Sequence, residues 1–335
     1  MINFDIHNRR YTGSKFKLIS WIKENIQIKK YSSFLDIFAG TGIVSASVIG
    51  DFNKIILNDF LFSNYIIYKG FFGKGNYSKR KIDNFVTSFN NTISNTKENY
   101  FSKSFGGKYF SKNDAFIIGH IRQEIENNKN IFTSKEYAIL LSSLIYSTDK
   151  IANTVGHFDA YRKNIKLSDR FKYLPINPIK HNKDIKIYQD DANSLIKSTP
   201  VDVLYVDPPY NSRQYSRFYH VLENLSTWRK PKLFGTARKP DPSSDTTSSY
   251  CKTEAYLKLK ELIEYADARV IVLSYNNTYD SKSSSSKNKI SLNQIKSIMR
   301  NKGKTKVLEK KYANFNAGKT NFNDHREYLF ITEVS

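Results

Sequence analysis

A strand-like run, Val201-Asp202-Val203-Leu204-Tyr205-Val206, leads without a spacer into Asp207-Pro208-Pro209-Tyr210, and that junction is the tightest constraint on how the chain can fold. All but Asp202 are apolar or aromatic, and the valines are β-branched, so the run reads as a buried strand. Two prolines then stop it, because neither can donate a ladder hydrogen bond and both fix φ. An acid is thereby set at the carboxyl end of a strand, followed by rigid backbone carbonyls and one aromatic ring. Acceptors for two hydrogens beside a flat face suit a planar amine. The competing reading is a surface turn, since Asp-Pro pairs are ordinary turn formers.

A second junction of the same kind lies near the amino terminus. Ser33-Phe34-Leu35-Asp36-Ile37-Phe38 reads as a strand that ends at Ala39-Gly40-Thr41-Gly42, with a helix expected over Ile43–Ile49. Lys54-Ile55-Ile56-Leu57-Asn58-Asp59 follows as another strand closing on a carboxylate. Strand, glycine turn, helix and strand make one βαβ unit of a doubly wound α/β sheet. Glycines at i and i+2 let the backbone approach a ligand and tolerate positive φ. A Gly-x-Gly by itself is a weak signal, and a plain tight turn explains many such matches. The third glycine and the Lys-Ser/Thr of phosphate-binding loops are missing, which disfavours NAD and ATP. Asp59 stands where an acid can bind a ribose diol. An adenosine-containing ligand without a pyrophosphate fits this set, and S-adenosylmethionine meets that description.

Elsewhere the pattern changes. Ser14–Lys30 has apolar residues at Phe16, Ile19, Ile22 and Ile26 and a plausible cap in Ser14, so an amphipathic helix is expected. From about Phe62 to Lys183 helical patterns, such as Asp114–Asn127 and Ser134–Tyr146, alternate with Lys- and Asn-rich segments, which reads as an inserted helical subdomain. Asn153–Tyr161 within it reads equally as a DNA-contacting loop or an ordinary turn. Strands resume at Ile185–Tyr188, Ala268–Tyr275 and Glu327–Ile331, whereas Arg229–Ser249 and Ser281–Lys289 read as mobile loops. No internal repeat is found.

Composition selects the kind of partner. With 53 Lys and Arg against 31 Asp and Glu, the 335-residue chain carries +22. A polyanion that releases counterions on neutralisation, such as nucleic acid, suits that excess, although compositional drift towards Lys also produces it. The 23 Tyr and 23 Phe suit base stacking as well as a core. One cysteine, Cys251, excludes an internal disulfide framework and a cysteine-based zinc site. The apolar runs are too short to span a bilayer and the amino terminus lacks a secretion-signal plan, so a soluble, cytoplasmic protein is expected.

Asp207-Pro208-Pro209-Tyr210, taken with Asp36-x-Phe38-x-Gly40-x-Gly42, strongly resembles the amino-group DNA methyltransferases, specifically the adenine-N6 enzymes of the Dam and type II restriction-modification family. Arg10-Tyr11-Thr12-Gly13-Ser14-Lys15 is similar to the opening motif of that family, which helps hold the cofactor. The string through Asn211-Ser212-Arg213-Gln214-Tyr215 resembles modification enzymes paired with FokI-like endonucleases. The resemblance implies S-adenosyl-L-methionine as co-substrate, with no metal, and assigns it Tyr11, Lys15, Asp36, Phe38, Gly40, Gly42, Asp59 and Asp191, the last preferred over Asp190 for the adenine ring. It implies catalysis by Asp207, Pro208, Pro209 and Tyr210, and DNA contacts from Asn211, Arg213 and Tyr215. The motif order implies the α group of the D12 class: a Rossmann-like catalytic domain over 1–74 and 185–335, and a mainly helical target-recognition insertion over 75–184. Double-stranded DNA is the implied partner, a companion restriction endonuclease is conceivable, and a monomer is favoured over an oligomer. An RNA adenine-N6 methyltransferase, exocyclic cytosine methylation and an inactive basic DNA-binding protein are the alternatives.

Overall fold

The computed structural model describes residues 3–26, 30–90, 98–210, 212–241, 247–277, 289–311 and 325–335. The chain divides into two compact units. One, built from Lys15–Phe60, Asn182–Gln214 and Ser243–Ser335, contains a seven-stranded sheet. Its strands are β1 (Ser33–Asp36), β2 (Lys54–Asn58), β3 (Asp184–Tyr188), β4 (Val201–Val206), β5 (Ala268–Asn276), β6 (Gly303–Lys311) and β7 (Arg326–Val334). They lie in the order β3-β2-β1-β4-β5-β7-β6, the first five parallel and the last two antiparallel to their neighbours. This is a mixed α/β architecture around a mainly parallel sheet, as the βαβ reading expects.

Burial explains why these segments become the central strands. Phe34, Leu35, Ile55, Leu57, Val203, Leu204, Val206, Ile271 and Leu273 are all sealed from solvent, as strands covered on both faces must be. Leu259, Leu262 and Ile263 of the Ala255–Tyr265 helix belong to the same apolar cluster, as do Ile295 and Met299 of the Leu292–Lys302 helix. Neither helix was legible from the strand pattern. β6 was missed as well, because Lys304, Lys306, Lys310 and Lys311 make it read as solvated. It is an edge strand, where lysines discourage pairing with another chain.

The second unit, Met1–Ser14, Leu61–His181 and Tyr215–Pro242, is mostly helical. The Ser134–Ile151 helix is its centre. A Thr133/Glu136 capping box starts it, and nearly every residue along it is buried. The Phe62–Phe71 helix packs on it so closely that a Cβ at Gly70 would stand 2.5 Å from Ser142 Oγ. The unit differs from the 75–184 segment: its central stretch runs from Leu61 to His181, and Met1–Ser14 and Tyr215–Pro242 join it.

Several local expectations need correcting. The Ser14–Lys30 helix is a short 3-10 turn over Phe16–Leu18 followed by an α-helix over Ile19–Asn25, and Ser14 does not cap it. The turn shifts the helical phase, so that Leu18, Ile22 and Ile26 are buried while Phe16 is 50% exposed. In Asn153–Tyr161, which reads equally as a turn or a DNA-contacting loop and needs no correction, the Asn153 side chain donates to the carbonyls of Lys108 and Arg162, and His157 stacks on Phe218 at 4.3 Å. Arg229–Ser249 is not all loop, for Leu233–Phe234 and Lys239–Pro240 pair as a hairpin. Of Ser281–Lys289, all but Lys289 lies outside the described residues.

The entry of β1 is tied to β4 by one side chain. Asp202 accepts from the backbone of Ser32 and Ser33 at 3.0 and 2.9 Å and from Ser33 Oγ at 2.8 Å. Partial burial opposes its charge, but these bonds prevail and hold the carboxyl below its usual range. Asp202→Ala is expected to cost about 2 kcal/mol in urea unfolding at neutral pH. Since the folded-state pKa is depressed, this contribution is present above the ordinary aspartate value and disappears as pH falls through the folded one.

Candidate active site at the carboxyl ends of the parallel strands

Parallel pairing places β1 between β2 and β4 in register, with Asp36 opposite Leu57 and Tyr205. Asp36 ends β1, Asp59 follows β2 by one residue, and Asp207 follows β4 directly. Three acids thus meet at one edge of the sheet although they are far apart in sequence. The glycine turn takes its shape from positive φ at Gly40 (54°) and Gly42 (74°), values that side-chain-bearing residues adopt at a cost. Asp59 Oδ2 accepts from the Gly40 amide at 3.0 Å, which anchors the turn to the end of β2. Asn58 fastens the same edge, donating to the carbonyls of Ile37 and Asp190 at 3.1 Å.

Asp36 is fully buried. Ser45 Oγ donates to its Oδ2 at 2.9 Å, whereas Oδ1 meets no donor among the described residues. Burial pushes the carboxyl up to about 7; Ser45 opposes the rise, and the negative charges of Asp207 and Asp59 add to it. A buried, half-satisfied acid of this kind is suited to facing a cation. Phe38 lies beside it in sequence and sets its ring edge-on to Tyr250 at 4.9 Å.

Lys15 is the hub of the other half of the site. A 3-10 turn starting at Phe16 carries it into the unit, where its ammonium is 5% exposed. It donates to Asp207 Oδ1 and Oδ2 at 2.9 and 2.8 Å and to the Tyr210 hydroxyl at 2.6 Å, and it stands 3.4 Å from Glu327 Oε1. Tyr210 donates to Asp207 Oδ1 and also lies 3.0 Å from Glu327 Oε1. Burial raises the Asp207 carboxyl above its usual range; Lys15 draws it back and Glu327 pushes it up again. The Tyr210 phenol is raised well above its usual value by burial and by these two carboxylates, so it stays a proton donor. Its ring is held edge-on to Tyr275 at 4.7 Å.

The structure therefore brings together Lys15, Asp207 and Tyr210, and beside β1 and β2 Asp36, Gly40, Gly42 and Asp59. Pro208 is buried and Pro209 half-buried behind Asp207. Asp191 is exposed and caps the Ala192–Ile196 helix, accepting from the Ser194 amide at 3.0 Å; Asp190 is exposed too. Tyr11 belongs to the helical unit, where it stacks on Tyr219 at 4.7 Å and packs against Tyr215. The Tyr215 hydroxyl donates to the Thr12 carbonyl. Arg213 is half-buried, and Asn211 lies outside the described residues. Glu327 was missed as a site residue. Its strand was legible, but nothing nearby in sequence distinguishes this acid from others on the chain.

Residues 11–275 match the family model of the D12 class N6 adenine-specific DNA methyltransferases. The chain belongs to this family. It is 32% identical to the type II methyltransferase M.NlaIII of Neisseria lactamica, over 96% of this chain and 98% of that protein. It is 30% identical to the type II methyltransferase M.CviAII of Paramecium bursaria Chlorella virus 1, over 97% and 98% of the two chains. The modification methylase StsI of Streptococcus sanguinis is 33% identical over 80% of this chain but only 44% of its own length. The seven-stranded sheet is consistent with a methyltransferase fold. Among the described residues no group of three or more His, Cys, Asp or Glu is placed to hold a metal ion, and no helix is long and apolar enough to cross a membrane.

Removing Lys15 leaves Asp207 and Glu327 facing each other without their shared cation. Lys15→Met is expected to lower stability by about 3 kcal/mol at pH 8. The loss should shrink towards pH 5 in urea titrations, because Asp207, already raised by burial, protonates and relieves the repulsion.

Proposed function

We propose that this adenine-N6 DNA methyltransferase is the modification half of a restriction-modification system, methylating a flipped adenine at a specific site in double-stranded DNA. The observation that carries the reading is the Asp207–Pro208–Pro209–Tyr210 turn at a buried strand end, with a charged and hydrogen-bonded acid at its head. The type II names of the relatives support the restriction-modification role and a companion endonuclease. The family's DNA substrate favours DNA over RNA.

S-adenosylmethionine, when bound, supplies an electrophilic methyl group on a sulfonium. Asp36, Gly40, Gly42 and Asp59 would hold it, with Phe38 and Lys15 at the margins and Asp191 or Asp190 toward the adenine ring; Tyr11 is proposed on the family resemblance alone. The residues fit such a ligand, because the unmatched, buried Asp36 Oδ1 suits a cation, and Gly40 and Gly42 themselves carry no side chain to stand in the way. Asp207 and the Pro208 carbonyl each accept one hydrogen of the adenine amine. This draws the nitrogen towards tetrahedral geometry and aims its lone pair at the methyl carbon, so that orientation and fixed dipoles supply most of the acceleration. As the N–C bond forms, the C–S pair returns to sulfur, and the surplus N6 proton passes to Asp207. Tyr210 lies beside the incoming base. A base inside a duplex cannot reach this depth, so it must leave the stack.

Target recognition is proposed for the inserted helical segment over 75–184, with Asn211, Arg213 and Tyr215 adding contacts after the catalytic turn. Arg162, Lys163 and Lys166 are exposed there around Asn164, whose φ of 58° makes a tight turn, and Ile165 is 47% exposed among them. Cations flanking an exposed apolar tip suit a phosphate backbone and a groove.

Duplex DNA from cells expressing the chain should contain N6-methyladenine at one recurring sequence, and Asp207→Ala should abolish it while leaving DNA binding largely intact. Near-normal methylation by that variant, or methylation of RNA alone, would overturn the reading. A cation bound at Asp36 favours its ionised form. S-adenosylmethionine affinity measured by calorimetry should therefore rise about tenfold from pH 6 to pH 8, with proton release on binding near pH 7.

A further inference from the structure

Glu327 is fully buried, and it lies beyond the residues that the family model matches. It sits near the start of β7, opposite Asn276. Because β7 runs antiparallel to β5, its first residues arrive at the edge where the parallel strands end. One oxygen, Oε1, faces three donors: Ser274 Oγ at 2.5 Å, Tyr210 Oη at 3.0 Å and Lys15 Nζ at 3.4 Å. Two of these, Tyr210 and Lys15, also bind Asp207.

This sharing poses a problem for catalysis. Asp207 must accept a hydrogen from the target amine, yet both of its oxygens already accept from Lys15, and Oδ1 accepts from Tyr210 as well. Tyr210 has a single hydroxyl proton and two carboxylates within reach. A small rotation about its C–O bond transfers that proton's hydrogen bond from Asp207 to Glu327 without moving the ring, which Tyr275 holds. A short shift of the Lys15 ammonium towards Glu327 would do the same for the charge. Neither movement breaks the Ser274 bond, and the antiparallel pairing of β7 with β5 keeps Glu327 at this edge.

Resting on the adenine-amine reading of this site, we infer that Glu327 is a positioning residue. It is the alternative acceptor that takes the Tyr210 hydroxyl, and part of the Lys15 charge, off Asp207 as the target amine enters. Asp207 then turns to the amine, and no covalent bond forms or breaks in the exchange. A neutral side chain of the same shape cannot compete with the Asp207 carboxylate for these donors. Tyr210 and Lys15 would then stay on Asp207 and compete with the amine for its lone pairs.

The test measures transfer of tritiated methyl groups from S-adenosylmethionine to unmethylated genomic DNA, with N6-methyladenine identified in the product. Glu327→Gln should lower kcat at least about tenfold while changing KM for S-adenosylmethionine less than about twofold. Ser274→Ala, which removes the cross-strand bond but leaves the charge facing Tyr210, should retain kcat within about threefold. In a Tyr210→Phe background, already slower, Glu327→Gln should add less than about threefold, because no hydroxyl is left to move. Glu327→Asp, which keeps the charge but withdraws it, should show a smaller loss with the same coupling to Tyr210, and it carries the cycle if the glutamine variant fails to fold. A Ser274→Ala loss equal to that of Glu327→Gln would overturn the inference in favour of a strand pin. So would equal Glu327 losses with and without the Tyr210 hydroxyl, or full activity of Glu327→Gln. Absence of N6-methyladenine with the wild-type chain would instead overturn the adenine reading beneath it.

Discussion

Two carboxylates and a phenol share one buried ammonium at the end of the sheet. Lys15 reaches Asp207, Tyr210 and Glu327 at once, and without it the acids would repel each other where water cannot screen them. The arrangement requires contributions from three separate stretches: the 3-10 turn after Ser14, the end of β4 and the start of β7. Each must be in register before the cation is satisfied, which makes the site a condition on the fold of the sheet unit as well as its product. Asp36 sits nearby under a different regime: burial, aided by the charges of Asp207 and Asp59, pushes it towards neutrality against the Ser45 bond.

Chemistry follows from this division of labour. An acid that must accept a hydrogen bond from an amine has to be ionised, oriented and available. Lys15 opposes the rise that burial and Glu327 give the Asp207 carboxyl, and the prolines hold it at a strand end. Availability is the demand in tension with the other two, because the groups that stabilise the carboxylate also occupy it. A second carboxylate within reach of the same donors resolves that tension without a large conformational change.

Much of the fold was legible because its strongest signals are local. The β4–Asp207 junction and the Gly40–Gly42 turn each combine a buried strand with residues that fix backbone geometry, and both appear where expected. Reading failed where burial and polarity disagree. β6 is a strand despite its lysines because it lies at an edge, and Phe16 is exposed because a 3-10 turn shifts the helical phase. The Ala255–Tyr265 and Leu292–Lys302 helices, which bury apolar faces in the same core as the strands, went unread in the sequence.

By itself the sequence determined the order of the motifs, the strand-end acids and the rigid Asp-Pro-Pro turn, since each depends on backbone rules that act within a few residues. Tertiary structure alone decided which acids share a cation. Lys15 and Asp207 are 192 residues apart, and Tyr210 and Glu327 are 117 apart. The pairing of β4 with β5 and the reversed direction of β7 bring Tyr210 and Glu327 to one edge, and the 3-10 turn after Lys15 brings the ammonium to them. Hydrogen bonding at that range depends on strand order and direction, which no local pattern along the chain encodes.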